Sequence, residues 1–219
     1  MIPSRGFKSR HLRHVIGPRS ISERGPSHVT DEFGGARTVT MGTSTATEET
    51  RFAVTDPTEL DRAAVDELTR RVHDVIAANK YLTLATVDGD GIPWVSPVFF
   101  SPDGATRFLW ASSPDSLHSC NVAANAEVSL VVYDSSVPIG GARAVYVRAE
   151  AGVVSDAELE QSATIYSGRL PEQRAFTVED LQADLRLYQA VVRRSWVLVT
   201  GRDPDYGTGL DRRVEVTLS

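Results

Sequence analysis

From residue 60 the apolar positions Leu60, Ala64, Leu68, Val72, Val75 and Ile76 recur every three or four residues. That spacing predicts one helix with a single buried stripe, ending near Asn79. Just upstream, Asp56 supplies a cap, Pro57 suits a first turn and Glu59 completes a capping box, so the helix is expected to begin there. His73 sits beside the stripe and reads as a partly exposed helix histidine. At Tyr81 the period changes. Short runs rich in Val, Leu, Thr and aromatics, separated by turn residues, predict strands over 81–87, 93–100, 106–111, 128–133, 144–154, 187–200 and 214–218. Asp88-Gly89-Asp90-Gly91 has the glycines of a tight hairpin, and Ser101-Pro102-Asp103-Gly104 marks another turn. Pro93 and Pro97 lack amide donors and mark an open ladder, at an edge or a bulge. Helices are expected from a Ser113 cap with Pro114 in the first turn to about Asn125, from Ser155 to Glu158 onward, and near 178–185. Six or seven antiparallel strands with helices between them close most easily as a barrel, because closure removes exposed edges.

Composition divides the chain in two. The whole carries a formal charge of -6, yet residues 1–40 hold seven Lys or Arg against three Asp or Glu. Residues 1–50 are also rich in Ser, Gly and Thr, are broken by Pro3, Pro18, Pro26 and Gly34-Gly35, and show no apolar period. They are read as a disordered basic extension preceding a folded domain over 51–219. Met41 resembles a second, more usual start, which would make the first forty residues an over-extended beginning. No secretory core precedes the fold, and no apolar run approaches the roughly 20 residues of a membrane helix. The acidic balance argues against a nucleic-acid partner. A single cysteine, Cys120, permits neither an internal disulfide nor a zinc cluster and fits a reducing cytoplasm.

The chain lacks a phosphate-binding Gly-rich loop, a nucleophile elbow and a zincin motif. Cys120 and His118 stand two residues apart on an expected helix and point to different sides, which argues against a catalytic pair. The helix start after the third strand carries more. Free amides there, with the hydroxyls of Ser112 and Ser116, suit an anion such as phosphate, although the same serines serve ordinary capping.

A resemblance rests on these segments taken in order. Leu84-Ala85-Thr86-Val87, an Asp-Gly turn, Gly91-Ile92-Pro93, Ser96-Pro97-Val98, Asp103-Gly104, Ser116-x-His118-x-x-Asn121, Asn125 and Val128-Ser129-Leu130 resemble the pyridoxamine 5'-phosphate oxidase-like family. The likeness is strongest over 81–133 and continues loosely to Leu218. It implies a mainly β fold with α: a Greek-key split β-barrel with flanking helices, binding FMN between the subunits of a homodimer. It further implies that Val95, Ser96, Pro97 and Val98 line the flavin ring, and that Ser112, Ser116 and His118, with Asn121 nearby, form the phosphate end. Trp196 and Arg212 or Arg213 would complete the pocket, with barrel core as the other reading of Trp196. The implied activity is a flavin-dependent oxidation or reduction of an unidentified small molecule, with no side chain acting as a strong acid or base.

The chain departs from the family where charge matters. In place of the usual Lys or Arg around the phosphate stand Ser96, Leu117, His118 and Cys120. Charge-assisted bonds contribute about 1.5–3 kcal/mol each, so losing two weakens phosphate binding about a hundredfold or more. Asp115, read in the first helical turn, would repel an anion there. Pyridoxamine phosphate is a poor substrate candidate, since its own phosphate requires a second basic cluster. Two further readings stand beside FMN: the deazaflavin F420, and a barrel that binds haem or a flavin product without turnover. Nucleic-acid binding through an OB-like barrel ranks last, because the basic groove it needs is missing.

Overall fold

The apolar stripe folds as its spacing predicts. Helix α1 (Arg62–Ala78) buries Ala64, Leu68, Val72, Val75 and Ile76 against the sheet. In this computed structural model the structure describes residues 54–55, 60–171 and 174–218. The extension over 1–50 and the expected cap at Asp56 to Glu59 lie outside these residues. The described helix is capped later than expected, by Asp61, whose Oδ1 accepts from the Ala64 amide at 2.8 Å.

Among the described residues nine strands follow one another where six or seven were expected: β1 (Val54–Thr55), β2 (Tyr81–Val87), β3 (Pro93–Phe99), β4 (Ser101–Asp103), β5 (Arg107–Ser112), β6 (Glu127–Tyr133), β7 (Ala144–Val153), β8 (Arg186–Val199) and β9 (Arg212–Glu215). Helix α2 (Leu117–Ala124) lies between β5 and β6, and α3 (Asp156–Ser167) between β7 and β8. The sheet runs in the order β1-β9-β8-β7-β6-β2-β3, and β5 joins β8 to β4. Because β4 continues β3 across Phe100, the path returns on itself as a split β-barrel with flanking helices. All pairings are antiparallel except β1 with β9. Strand β8 pairs three neighbours. Its first half bonds β5, its second half bonds β9, and β7 lies along its other side.

Two departures from expectation have their causes in tertiary contacts. Ser101 to Asp103, read as a turn, is strand β4, held because the Ser101 hydroxyl donates to the carbonyls of Ile165 and Tyr166 in α3. Residues 178–185, read as helical, form turns only. Thr177 and Asp180 do exchange capping bonds there, but Leu181 drops into a core beside Leu109, Leu159 and Leu187, and the chain enters β8 before a helix can propagate.

The barrel interior is filled by Leu82, Leu84, Val98, Phe100, Phe108, Trp110, Leu130, Val132, Val147 and Tyr188. Phe100 marks the corner where β3 becomes β4. There Arg169, just past α3, lies over the Phe100 ring at 4.8 Å and donates to four backbone carbonyls: Phe100 (3.2 Å), Ile76 (3.2 Å), Ala77 (2.9 Å) and Asn79 (2.6 Å). One guanidinium thereby binds the end of α1, the barrel corner and α3. Among the described residues, no helix is long and apolar enough to cross a membrane.

Candidate functional site

Strand alternation assembles the site. On β5, Phe108, Trp110 and Ser112 share one face; on β3, Val98, Ser96 and Trp94 share one. The inner members of both series are core, and the outer ones are polar or half-exposed. Two residues beyond the core on each strand, Ser112 and Ser96 therefore reach the rim, where α2 crosses above them. His118 on α2 joins the two strands. Its Nε2 lies 2.9 Å from Ser112 Oγ and 3.2 Å from Ser116 Oγ, and its Nδ1 lies 3.2 Å from Ser96 Oγ. Ser112 and Ser116 hydroxyls stand 3.0 Å apart, Ser116 donates to Ser119 Oγ at 2.8 Å, and Trp94 Nε1 donates to Ser96 Oγ at 3.0 Å. One direction of donation satisfies this whole chain: Trp94 to Ser96, Ser96 to His118 Nδ1, His118 Nε2 to Ser112, Ser112 to Ser116, Ser116 to Ser119.

The start of α2 differs from the expected one. Ser116 is the N-cap, so Ser113 lies outside the helix, where its Oγ accepts from the Asp115 amide. Asp115 precedes the cap, and the first turn contains no acid; the repulsion expected from that carboxylate inside the turn is removed. The Ser116 hydroxyl makes no capping bond, because His118, Ser112 and Ser119 engage it. The first-turn amides of α2 consequently have no side-chain acceptor.

Electrostatically the cluster is neutral. Burial holds the His118 pKa below its ordinary 6.5, so the imidazole is uncharged at neutral pH. The register partner of Ser112 carries a permanent charge, from a strand that motif reading does not connect: it is Arg186, across β5 and β8. Paired side chains of an antiparallel ladder share a face. The Arg186 Nη1 donates to the carbonyls of Ala183 (2.9 Å) and Leu185 (2.6 Å). Nothing near Ser112 in the sequence signals Arg186; only the strand register does.

The other expected residues are distributed. Asn121 is buried and commits its Nδ2 to Thr86 Oγ1 at 3.0 Å, fastening α2 to β2. Val98 belongs to the core, whereas Val95 is exposed and lies with Pro97 on the opposite face of β3 from Ser96. Among the described residues β3 pairs only with β2, which leaves its outer edge open there. Trp196 lies ten residues along β8 from Arg186, roughly 33 Å of strand at about 3.3 Å per residue. It is buried between Arg148 and Arg194, and Arg213 sits over the Tyr146 ring at 4.7 Å; Arg212 donates to the Tyr206 carbonyl. One chain thus brings together Ser96, Ser112, Ser116 and His118 and keeps Trp196, Arg212 and Arg213 elsewhere. Cys120 is exposed and its Sγ faces the Pro114 carbonyl at 3.6 Å, while both His118 nitrogens face serines.

Solved structures share this fold. A haem-binding protein from Mycobacterium smegmatis superposes with a TM-score of 0.53 at 17% identity, over 68% of this chain and 57% of that one. The chain therefore spans little more than half of that protein's length. Campylobacter jejuni ChuZ gives 0.52 at 14% identity, over 71% and 64%, and a 5-nitroimidazole antibiotic resistance protein, so assigned provisionally, from Bacteroides thetaiotaomicron gives 0.51 at 13%, over 57% and 80%. No curated protein sequence matches the chain. The profile of the pyridoxamine 5'-phosphate oxidase family matches residues 68–192, more than half of the chain, from the buried stripe of α1 through the β5–β8 ladder, and the chain belongs to that family.

Proposed function

We propose that this protein binds FMN and carries out flavin-dependent oxidation or reduction of a small molecule as a homodimer. The observation that carries the reading is the uncapped start of α2: its free amides lie beside the Ser112 and Ser116 hydroxyls, a donor set suited to a phosphate. Arg186, the register partner of Ser112, would supply the positive charge that the helix motif lacks by turning its guanidinium from the Ala183 and Leu185 carbonyls to the phosphate. The donor set therefore fits the phosphate end of the cofactor, with neutral donors doing most of the holding.

When bound, the flavin supplies the hydride or electron chemistry. The chain's own residues bind and orient it. Ser112 and Ser116 turn their hydroxyls to the phosphate, and His118 donates from Nε2 while Ser96 holds its Nδ1. Val95 and Pro97 offer an apolar surface on the open edge of β3. Because Trp196 and Arg213 lie far along β8 from this cluster, a second copy of the chain would have to supply them. The exposed thiol of Cys120 is consistent with a reducing cytoplasm.

The test compares FMN with riboflavin, which lacks the phosphate. Flavin fluorescence and melting temperature are followed as each is added to the full chain. FMN is expected to bind more tightly than riboflavin, and S112A with S116A should remove that advantage while sparing riboflavin. Equal binding of the two flavins, or binding of neither, refutes the reading; F420 in the same titration tests the deazaflavin alternative. A haem site is the second reading, favoured by the neutral state of His118, the form in which imidazole ligates iron. It predicts a Soret band with added haemin that disappears in H118A.

A further inference from the structure

At the opposite end of β8 from Ser112, a cavity of about 550 Å³ opens where α1, the loop between β6 and β7 and the loop after β8 meet. That volume suits a small organic molecule. Val75, Ala144 and Val197 give it an apolar part, and its walls carry four arginines together with the carboxylates of Glu67, Asp74 and Asp203. Two of them are committed. Arg70 pairs with Glu67 and Asp74, and Arg71 with Glu67, Asp203 and Asp205. The other two, Arg143 and Arg202, have no side-chain hydrogen bond or ion pair among the described residues. The carboxylate whose titration feels Arg143 is Asp134; the Ser136 hydroxyl and amide hold it down first, and Arg143 acts on it only through space.

The two free guanidinium groups are presented by a built frame. Arg202 lies between Gly201 and Asp203. A Cβ on Gly201 would stand 2.5 Å from the Gly209 carbonyl carbon, and one on Gly207 would stand 2.5 Å from the Asp203 oxygen, so this loop closes only with glycine at both places. Asp203 is fixed on α1 by Arg71 Nη1 at 2.6 Å, and its Oδ1 accepts the amides of Asp205 and Tyr206. The Arg71 guanidinium also stacks 5.1 Å above Tyr206. Across the cavity, Arg143 directly precedes β7, and its carbonyl accepts from the Asp134 amide. Four arginines against the three lining carboxylates Glu67, Asp74 and Asp203 leave the recess positive, in a chain of net charge -6, and so suited to the opposite charge.

We propose that this cavity binds a small organic anion, a phosphate or carboxylate carried on an apolar body, with Arg143 and Arg202 as its charge partners. Planar guanidinium groups meet either head group with two parallel hydrogen bonds, while Val75 and Val197 cover the apolar part. The site uses none of the residues assigned to FMN and stands or falls without that reading.

Calorimetric titration of the full chain with phenyl phosphate, and separately with benzoate, tests it; phenol is the uncharged control. At least one anion should bind saturably at one per chain, phenol should not, and the tighter of the two names the head group. R143Q and R202Q should each weaken binding about tenfold and the double variant should abolish it, with melting temperatures near that of the unaltered chain because neither side chain makes a hydrogen bond or ion pair among the described residues. S112A with S116A should leave the affinity unchanged. Absence of saturable anion binding, equal binding by the double variant, or loss of binding in S112A/S116A overturns the proposal.

Discussion

Replacing Arg169 with Met removes the group that ties three elements together while keeping most of its apolar stem. The guanidinium serves the carbonyls of Ile76, Ala77 and Asn79 at the end of α1 and of Phe100 at the barrel corner. Water can replace it at the exposed Ala77 bond. The remaining three bonds involve partly buried groups, where an unmet carbonyl costs about 1 kcal/mol at the low end of the usual range. The last turn of α1 holds no basic residue of its own, so a further ~0.5 kcal/mol of helix-dipole stabilisation goes with the charge. Loss of the stack on Phe100 contributes about 0.5 kcal/mol. The total is about 4 kcal/mol, or a fall in melting temperature on the order of 8–16 °C for a domain of this size. Urea unfolding with unchanged m-value gives the free energy directly. R169K should recover about half, because an ammonium keeps the charge but reaches fewer carbonyls. A loss below about 1 kcal/mol in R169M would show that solvent already satisfies these carbonyls and would refute the linking role.

The remaining predictions concern the site and its frame. H118R should tighten FMN about tenfold, since it installs a permanent charge where burial keeps the imidazole neutral; an unchanged dissociation constant places the phosphate elsewhere. In the free protein a base with depressed folded pKa has no effect on stability well above its unfolded value near 6.5 and lowers stability as pH falls through that value, because the unfolded chain takes the proton first. A bound phosphate reverses this preference, so FMN affinity should rise from pH 8 to 6.5 in the unaltered chain and stay flat in H118Q. R186Q should weaken FMN but not riboflavin by about tenfold; equal losses for both would mean that Arg186 acts on the fold. D203N should cost about 2 kcal/mol in chemical denaturation by freeing the partly buried Arg71, and no loss would mean that Glu67 alone holds it.

What the sequence disclosed was whatever local chemistry determines. The β2–β3 hairpin was legible because Asp88 and Gly91 act within five residues: Asp88 Oδ1 accepts the amides of Asp90 and Ile92, and Gly91 takes a φ of 81°. Pro93 and Pro97 correctly marked an open ladder, since β3 is an edge. Ser96, Ser112, Ser116 and His118 could be grouped because the resemblance orders them. Where three serines near one helix start competed, sequence alone chose Ser113 as cap, but the N-cap is Ser116, whose hydroxyl turns to His118, Ser112 and Ser119 and makes no capping bond. Arg186 stayed hidden for the same reason that β4 did, because partners distant in the chain define both. The split of Val95 and Pro97 from Ser96 and Val98 needed only the period of a strand, once the strand itself was in place.

The position of β8 has a consequence for how the chain acquires its structure. Its partners β5 and β7 are both made earlier, and neither has its ladder complete until residues 186–199 exist. The β5 pairing joins positions such as Arg107 and Val191, and the Arg71–Asp203 clamp spans a still longer stretch of chain. Such distant pairings must pay the entropy of closing long loops before they return any stabilisation, which slows folding. Amino-terminal fragments ending before β8 would present two open strand edges at once, and these are the species most exposed to aggregation and to capture by chaperones during synthesis. The barrel becomes a cooperative unit only when its last long strand arrives.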